Sequence, residues 1–314
     1  MMEVTQLGFW DKPKRTIQYK QVGNVLMLGG GRQSSGLVEM SVEGELPRFD
    51  LVLFADTYDE PDYVYQQVNY LRSRLALVNT PLQVVTHKSG LGIVEYTKDL
   101  RLSRFAKMPL YVMAEDGTVS QLPRQCTKEF KVDPCDRAMR EWLFGQGYAR
   151  QQKNGLRVVP GVYVNVALGF GADESYRVNR KPFTVKWKRK AFPLYERGIS
   201  TAKLMGWFEE KGLRVPKKSS CRICPYHDDQ YWMEMSPPDF EAACGFDDFI
   251  RTPAAVKHFL KGIRERCYLH PSCTPLRDVD FKHWKQKRRF NPLQAELMLG
   301  STCANDGGFS CMEA

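Results

Sequence analysis

The sequence predicts an α/β protein with a mainly parallel, doubly wound sheet and a C-terminal helical region rich in cysteine and basic residues. Three apolar runs, at 25–28, 49–55 and 81–86, alternate with segments of helical spacing. This β-α-β-α-β rhythm favours a parallel sheet covered by helices on both faces. In such folds ligands bind at the carboxyl ends of the strands, so the loops that follow the strands are the candidate sites.

The individual elements follow from the spacing of apolar residues. A helical pattern begins at Ser34 and continues to Met40, and the segment 61–75 places Val64, Val68 and Leu71 along one side of a helix. The same patterns predict a helix over 133–143, a strand within 162–171 that leads to a glycine-rich turn, and helices over 200–211, 239–250 and 253–266.

Changes in composition along the chain suggest three regions. Residues 1–195 form the predicted α/β domain, and 196–290 form a helical, basic region with cysteines. Residues 291–314 have the glycines expected of a flexible tail.

The charge distribution points to an anionic partner. The chain of 314 residues carries a formal net charge of +10, with basic runs at 186–190, 217–218 and 281–290. Aromatic residues lie among the bases at 281–290, which suits phosphate neutralisation combined with base stacking. A solvated basic face is the alternative reading of the same runs.

The sequence favours a cytoplasmic protein without a membrane partner. It contains no apolar stretch of about 20 residues, and the first residues lack the apolar core of a signal peptide. Nine cysteines are then reduced thiols, for which metal or redox chemistry is a better explanation than disulfides.

One pair of cysteines has metal-ligand spacing. Cys221 and Cys224 are separated by two residues and followed by a proline, so a short loop brings two thiolates together. One pair is half a site, and the candidates for the remainder are Cys126, Cys267, Cys273 and His270. Four cysteines suit a [4Fe–4S] cluster, and Zn²⁺ accepts the same set or a histidine.

A glycine-rich loop follows the first strand. Gly29, Gly30 and Gly31 allow a tight turn whose backbone N–H groups point at one place, next to the positive end of a helix. The loop has no lysine, which excludes a Walker A pattern, and Ser34 stands where a dinucleotide-binding loop needs glycine. The loop is therefore a candidate phosphate site of another kind, or a turn without a ligand.

The segment from Gly29 to Ser35 resembles the pyrophosphatase (PP) loop of the adenine nucleotide alpha-hydrolase superfamily, whose pattern is S-G-G-x-D-S. Two positions depart from that pattern. Gly29 replaces the first serine, and Gln33 stands where many members have an aspartate able to bind Mg²⁺.

Five further segments resemble those of phosphoadenylyl sulfate (PAPS) reductase-like proteins and occur in the same order. They are FADTYDEPDYVYQQVNYL at 54–71, RQCTKEFKVDPCDRAMREWL at 124–143, LGFGADESYRV at 168–178, SSCRICPYHDDQYWMEM at 219–235 and LHPSCTPL at 269–276. The resemblance implies a PP-loop, HUP-like fold and is nearest to members with a cysteine-held cluster that are related to nucleic-acid thiolation enzymes.

The resemblance also implies which residues form the site. Those expected to bind the adenine nucleotide, with Mg²⁺ as a further candidate, are Gly29, Gly30, Gly31, Gln33, Ser34, Ser35, Asp56, Thr57, Asp173 and Glu174. Arg177 would stabilise charge on the leaving group, assisted by Lys131 or Lys128. The alternative for Asp173, Glu174 and Arg177 is a helix cap with an ion pair, and for Asp56 a turn at a strand end.

The resemblance further selects Cys126, Cys221, Cys224 and Cys273 as ligands of a [4Fe–4S] cluster, with Zn²⁺ as the alternative. Cys135 and Cys244 lie in helical patterns and are expected to pack inside. Cys303 and Cys311 lie in the tail, where they could act as a nucleophile and a resolving thiol, serve as further ligands, or have no role.

Three functions are compatible with these features. The first is ATP-dependent, adenylylating sulfur transfer to a nucleic-acid or nucleotide substrate, with a sulfur donor as partner. The second is a sulfonucleotide reductase that uses a tail cysteine and a thioredoxin-like reductant. The third is a non-catalytic nucleic-acid-binding or assembly protein on a degenerate PP-loop fold.

Overall fold

The computed structural model describes residues 18–102, 106–178, 183, 185–259 and 266–284. The strands, numbered in chain order, are β1 (Lys20–Leu28), β2 (Leu51–Ala55), β3 (Leu82–Val85), β4 (Tyr111–Met113), β5 (Val119–Gln121), β6 (Ala149–Gln152), β7 (Gly155–Val158), β8 (Val162–Ala167), β9 (Lys188–Ala191) and β10 (Cys267–Tyr268).

The α-helices are α1 (Arg32–Val42), α2 (Asp62–Ala76), α3 (Ile93–Lys98), α4 (Asp133–Gly145), α5 (Ser175–Val178), α6 (Pro193–Glu196), α7 (Thr201–Glu210), α8 (Asp229–Glu234), α9 (Pro237–Ile250) and α10 (Pro253–Phe259). A π-helical turn, Lys128–Val132, leads directly into α4. Among the described helices, none combines the length and apolar character needed to cross a bilayer.

Five parallel strands form the central sheet in the order β3-β2-β1-β8-β9. The chain winds from β1 outward to β3 and then returns to the other side of β1 with β8. The strand order therefore reverses next to β1, and such a switch point opens a crevice for ligands at the carboxyl ends of the strands.

Helices cover both faces of this sheet, which confirms the predicted doubly wound α/β fold. Successive side chains of β1 point to opposite faces, so Val25 and Met27 pack with α4, while Leu26 and Leu28 pack with α1, α2 and α7. Cys135 of α4 is buried in the first of these cores, as its helical position predicts.

A third core holds the cysteine-containing region together. It joins α9 and α8 to the small antiparallel sheet β10-β4-β5, with Trp232, Phe246 and Phe130 among its buried side chains. Cys244 is also buried there, which agrees with the packing role predicted for it.

Several local predictions can be compared with the structure. The strand predicted within 162–171 is β8, which ends at Ala167, and the glycine-containing turn predicted after it follows at 168–171. The basic run 186–190 overlaps β9, an edge strand of the central sheet. The helix predicted over 253–266 is described only as far as Phe259.

The region boundary at residue 195 remains a prediction. The helix α7 lies after it, yet Leu204 and Phe208 of this helix are buried in the core beneath the sheet. A Cβ placed at Gly36 of α1 would lie 2.8 Å from the Leu204 side chain, so these two helices pack closely.

Candidate functional site

The glycine-rich loop connects β1 to α1 at the switch point of the sheet. Gly30 has a φ of +78°, in the left-handed region that glycine adopts without strain. Gly29 donates its N–H to Ser34 Oγ at 3.1 Å, which fixes the loop against the first turn of α1. Among the described residues no side chain caps the N-terminus of α1 at Gly31, so its first N–H groups are suited to an anion.

The loop after β8 packs against the glycine-rich loop from one side. A Cβ at Gly169 would lie 2.7 Å from the Ser34 backbone nitrogen, so only glycine allows this approach. Gln33 Nε2 donates to Thr201 Oγ1 at 3.1 Å, and Thr201 N donates to Asp173 Oδ1 at 3.0 Å. The segment that contains Asp173 is therefore linked to the loop through the start of α7.

Glu174 and Arg177 form an ion pair within this segment. Glu174 also accepts a hydrogen bond from Gly171 N at 3.1 Å, and Arg177 lies 4.4 Å from the centre of the Phe170 ring. These contacts match the helix-cap alternative. Arg177 is 4% exposed, so its action on a leaving group remains a prediction.

Asp56 and Thr57 lie at the carboxyl end of β2, beside the loop. Asp56 Oδ1 accepts hydrogen bonds from Tyr58 N at 2.7 Å and from Tyr65 Oη at 2.9 Å, which is the turn-closing role considered for it. Thr57 Oγ1 lies 3.3 Å from Cys221 Sγ. The end of β2 is therefore in contact with the cysteine segment.

A buried charged group lies next to this contact. Lys131 Nζ lies 3.0 Å from Glu60 Oε1, and Cys221 Sγ lies 3.4 Å from the same oxygen. Burial alone would lower the pKa of Lys131, but neighbouring Cys221 and Glu60 raise it above its ordinary value. Lys131 thus carries a positive charge on a π-helical turn, a rare element often found at functional sites.

The cysteine segment, 219–226, is fastened to the loops after β1 and β2. Ser219 Oγ donates to the Gly29 carbonyl oxygen at 2.8 Å. Arg222 N donates to the Asp59 carbonyl oxygen at 2.8 Å, and Ile223 N donates to Asp59 Oδ2 at 3.2 Å. The glycine-rich loop and the segment predicted to bind a metal are therefore in direct contact.

Three of the four predicted metal ligands line one cavity. Cys126, Cys221 and Cys224 face it together with Lys131 and Arg124. Cys273 is also buried. Burial raises the pKa of Tyr111, and Cys224 and Cys273 both contribute to this rise. Burial also raises the pKa of Cys221 and of Cys224, so each is a neutral thiol unless a cation binds it.

The arrangement of these side chains limits what could bind. Within the described part of the chain, no group of three or more His, Cys, Asp or Glu side chains is placed to hold a metal ion. Tetrahedral Zn²⁺ requires all its ligands at about 2.0–2.3 Å from one point, and this arrangement does not fit it. A [4Fe–4S] cluster takes four cysteine thiolates. Three of the four predicted thiols line this cavity, whose volume is about 40 Å³, so the cluster remains a prediction.

The two basic runs have different surroundings. Lys188 is buried and lies 2.6 Å from Asp136 Oδ1, so it is an internal ion pair and not a surface charge. Of the run 281–290, only 281–284 is described, and Phe281 and Trp284 pack against His270. The tail cysteines Cys303 and Cys311 lie outside the described residues.

Sequence reasoning did not single out Glu60, Ser219, Gly169 or Thr201. Glu60 precedes the proline at the start of α2 and lies in the segment 54–71, which resembles PAPS reductase-like proteins. An acidic residue in that segment could have been selected as a candidate for the site. The partners of Ser219 and Thr201 are 190 and 168 positions away. No local pattern indicates contacts at that distance.

Comparison with known proteins finds similarity to solved structures alone. No family model matches the chain, and no curated protein matches it. Among solved structures, the chain is similar to phosphoadenylyl-sulfate (PAPS) reductase from Candida auris in a phosphate complex, with 15% identity and a TM-score of 0.38. The match covers 62% of this chain and 76% of that chain.

Proposed function

We propose that the chain is a PP-loop enzyme that binds an adenine nucleotide and carries out ATP-dependent sulfur transfer to a nucleic-acid or nucleotide substrate in the cytoplasm. The observation that carries the proposal is the hydrogen bond from Ser219 to Gly29. It joins a phosphate-binding loop to a segment of cysteines, so that nucleotide chemistry and sulfur chemistry share one site.

In this proposal the loop holds the phosphates of ATP. Backbone N–H groups of the loop and of the first turn of α1 bind them, with Ser34 keeping the loop in shape. An acceptor oxygen attacks the α-phosphate and forms an adenylylated intermediate, and pyrophosphate leaves. A sulfur nucleophile at the sulfide oxidation level, supplied by the sulfur donor, then attacks the activated centre and AMP leaves with the acceptor oxygen.

Lys131 is the residue of this chain best placed to stabilise charge during the reaction. It is held by Glu60 between the end of β2 and the cysteine cavity. A preorganised positive charge of this kind contributes most in a site from which water is excluded. We assign it that role, with Arg177 as a further candidate on the opposite side of the loop.

A [4Fe–4S] cluster held by Cys126, Cys221, Cys224 and Cys273 would supply the sulfur chemistry of this site. Three of these thiols line the cavity beside Lys131. Burial raises the pKa of Cys221 and Cys224, which fits residues that become thiolates when a metal binds. An anaerobic preparation is expected to contain about four irons per chain. Stoichiometric zinc without iron would contradict the assignment.

A sulfonucleotide reductase is the second candidate, and the position of Gln33 favours it. The Gln33 amide donates to Thr201 where many PP-loop proteins have a carboxylate for Mg²⁺. A loop of this kind suits a ligand that does not need the metal. Cys303 or Cys311 would then attack the sulfate sulfur, and the nucleotide would leave through its phosphate. A thioredoxin-like dithiol would release sulfite from the S-sulfonated cysteine and become a disulfide.

Two product assays on anaerobically purified protein separate the candidates. Pyrophosphate release from ATP that depends on added RNA or DNA supports sulfur transfer. Sulfite release from phosphoadenylyl sulfate that depends on thioredoxin supports the reductase. If neither product forms while nucleic acid binds, the chain is a binding protein and both enzymatic proposals are wrong.

A further inference from the structure

A basic groove lies beside α4, away from the phosphate loop. It has a volume of about 1000 Å³ and is lined by α4, the two-stranded hairpin β6–β7 and the residues that precede β1, β8 and β9. Its basic lining residues are Arg137, Arg140, Arg157 and Lys186, and its acidic lining residue is Glu141. The excess of positive charge makes this groove attractive to a polyanion.

The hairpin itself carries unbalanced positive charge. Arg150 of β6 is paired directly with Arg157 of β7, so two guanidinium groups lie on the same face of an isolated two-stranded ribbon. Like charges in this position destabilise a hairpin. Within the described part of the chain neither arginine forms an ion pair, and both are exposed.

Helix α4 links the groove to the candidate site. Arg137 and Arg140 lie on α4, which continues directly from the π-helical turn that carries Lys131. Six residues of helix between Lys131 and Arg137 span roughly 9 Å. At the other end, Lys186 precedes β9 and so lies at the amino end of the sheet.

We infer that this groove binds the sugar–phosphate backbone of a nucleic acid through its arginines and lysine. The role of the bound nucleic acid as the sulfur acceptor rests on the proposed function. The groove gives the acceptor a surface formed by α4, the hairpin and Lys186.

The surface differs from the one that the basic runs predict. Lys188 is unavailable because Asp136 neutralises it inside the protein. Arg140 lies 5.1 Å from the centre of the Trp187 ring, so that ring already has a cation on one face. Recognition here therefore depends on phosphates and is expected to be independent of base sequence.

The test is a binding titration with two double variants of equal charge. Arg157→Gln with Lys186→Gln removes two groove cations, and Arg48→Gln with Lys257→Gln removes two exposed cations elsewhere. Fluorescent 20-nucleotide DNA and RNA, single-stranded and duplex, serve as probes over a range of salt concentrations. Polyglutamate is the competing acidic polymer.

We expect the groove variant to bind nucleic acid about tenfold more weakly and to lower the slope of log affinity against log salt by about two. The control variant should keep the wild-type values. Equal binding by both variants, or equally strong binding of polyglutamate, would overturn the inference. ATP binding is measured in parallel. Absence of ATP binding would contradict the proposed function, whereas the result for the groove would still stand.

Discussion

Ser219 Oγ donates a hydrogen bond of 2.8 Å to the carbonyl oxygen of Gly29, 190 positions earlier in the chain. Ser219 precedes the Cys221–Cys224 pair, and Gly29 begins the phosphate loop. The contact is buried, so neither partner can be satisfied by bulk water if the other is lost. It couples the two halves of the candidate site.

Ser219→Ala should therefore lower stability and weaken nucleotide binding together. An unsatisfied buried carbonyl costs about 1–3 kcal/mol, and the loop would lose its anchor. Thermal unfolding and ATP titration measure the two effects. Ser73→Ala is the control, since Ser73 Oγ donates to the Tyr70 carbonyl oxygen on the exposed surface of α2. Equal effects in both variants would show that the hydrogen bond between Ser219 and Gly29 does not link stability to nucleotide binding.

Gly169→Ala should displace the loop after β8 from the phosphate loop. The new Cβ would lie 2.7 Å from the Ser34 backbone nitrogen, and backbone atoms cannot move aside as a flexible side chain can. We expect reduced nucleotide affinity and a loss of stability of about 1–3 kcal/mol. Gly206→Ala in α7 meets no described atom within 4 Å and should be neutral or stabilising by up to about 1 kcal/mol. Wild-type affinity in Gly169→Ala would contradict the packing argument.

Lys131→Met and Lys128→Met separate the two lysines that the sequence could not distinguish. Lys131 is paired with the buried Glu60, whereas Lys128 pairs with Asp133 at the surface. Loss of Lys131 should abolish product formation and destabilise the fold by several kcal/mol, because Glu60 is left without its partner. Lys128→Met should change stability by less than about 1 kcal/mol. Turnover that survives in Lys131→Met would remove this residue from the mechanism.

The stability of the fold should depend on the ionisation of Asp59. Burial raises the pKa of this carboxyl from 3.8 to about 7, against the opposing effect of Arg222. The folded state thus binds the proton more tightly than the unfolded state, and the stability from protonated Asp59 is lost as pH rises from about 4 to about 7. Asp59→Asn cannot titrate, so the stability of wild type relative to this variant should fall over that range. Parallel unfolding curves at pH 5 and pH 8 would exclude the effect.

Much of the fold can be predicted from the sequence because its signals are local. The apolar runs of β1 and β2 and the spacing of Val64, Val68 and Leu71 on α2 depend on near neighbours in the chain. The strand β9 could not be predicted in this way. Its Lys188 reads as a surface cation until Asp136, 52 positions away, is known to neutralise it.

In the site, too, some features have local sequence signals and others depend on residues far apart in the chain. The glycine loop and the Cys221–Cys224 pair are contiguous motifs, so their elements and their role in a site could be proposed from the chain alone. The buried pair of Glu60 and Lys131 joins residues 71 positions apart. Asp56 and Glu174 were placed near the ligand by resemblance, and the structure shows their carboxylates in local hydrogen bonds and an ion pair.

The most direct test of the account follows the products of ATP labelled at the α-phosphate, in wild type and in Ser34→Ala. With nucleic acid present, wild type should release pyrophosphate and form AMP, while Ser34→Ala should bind ATP roughly tenfold more weakly, since it loses a hydrogen bond that shapes the loop. Ser41→Ala, on the same helix but bonded to the Pro47 carbonyl oxygen, should behave as wild type. Release of ADP in place of AMP, or unchanged ATP affinity in Ser34→Ala, would contradict the account.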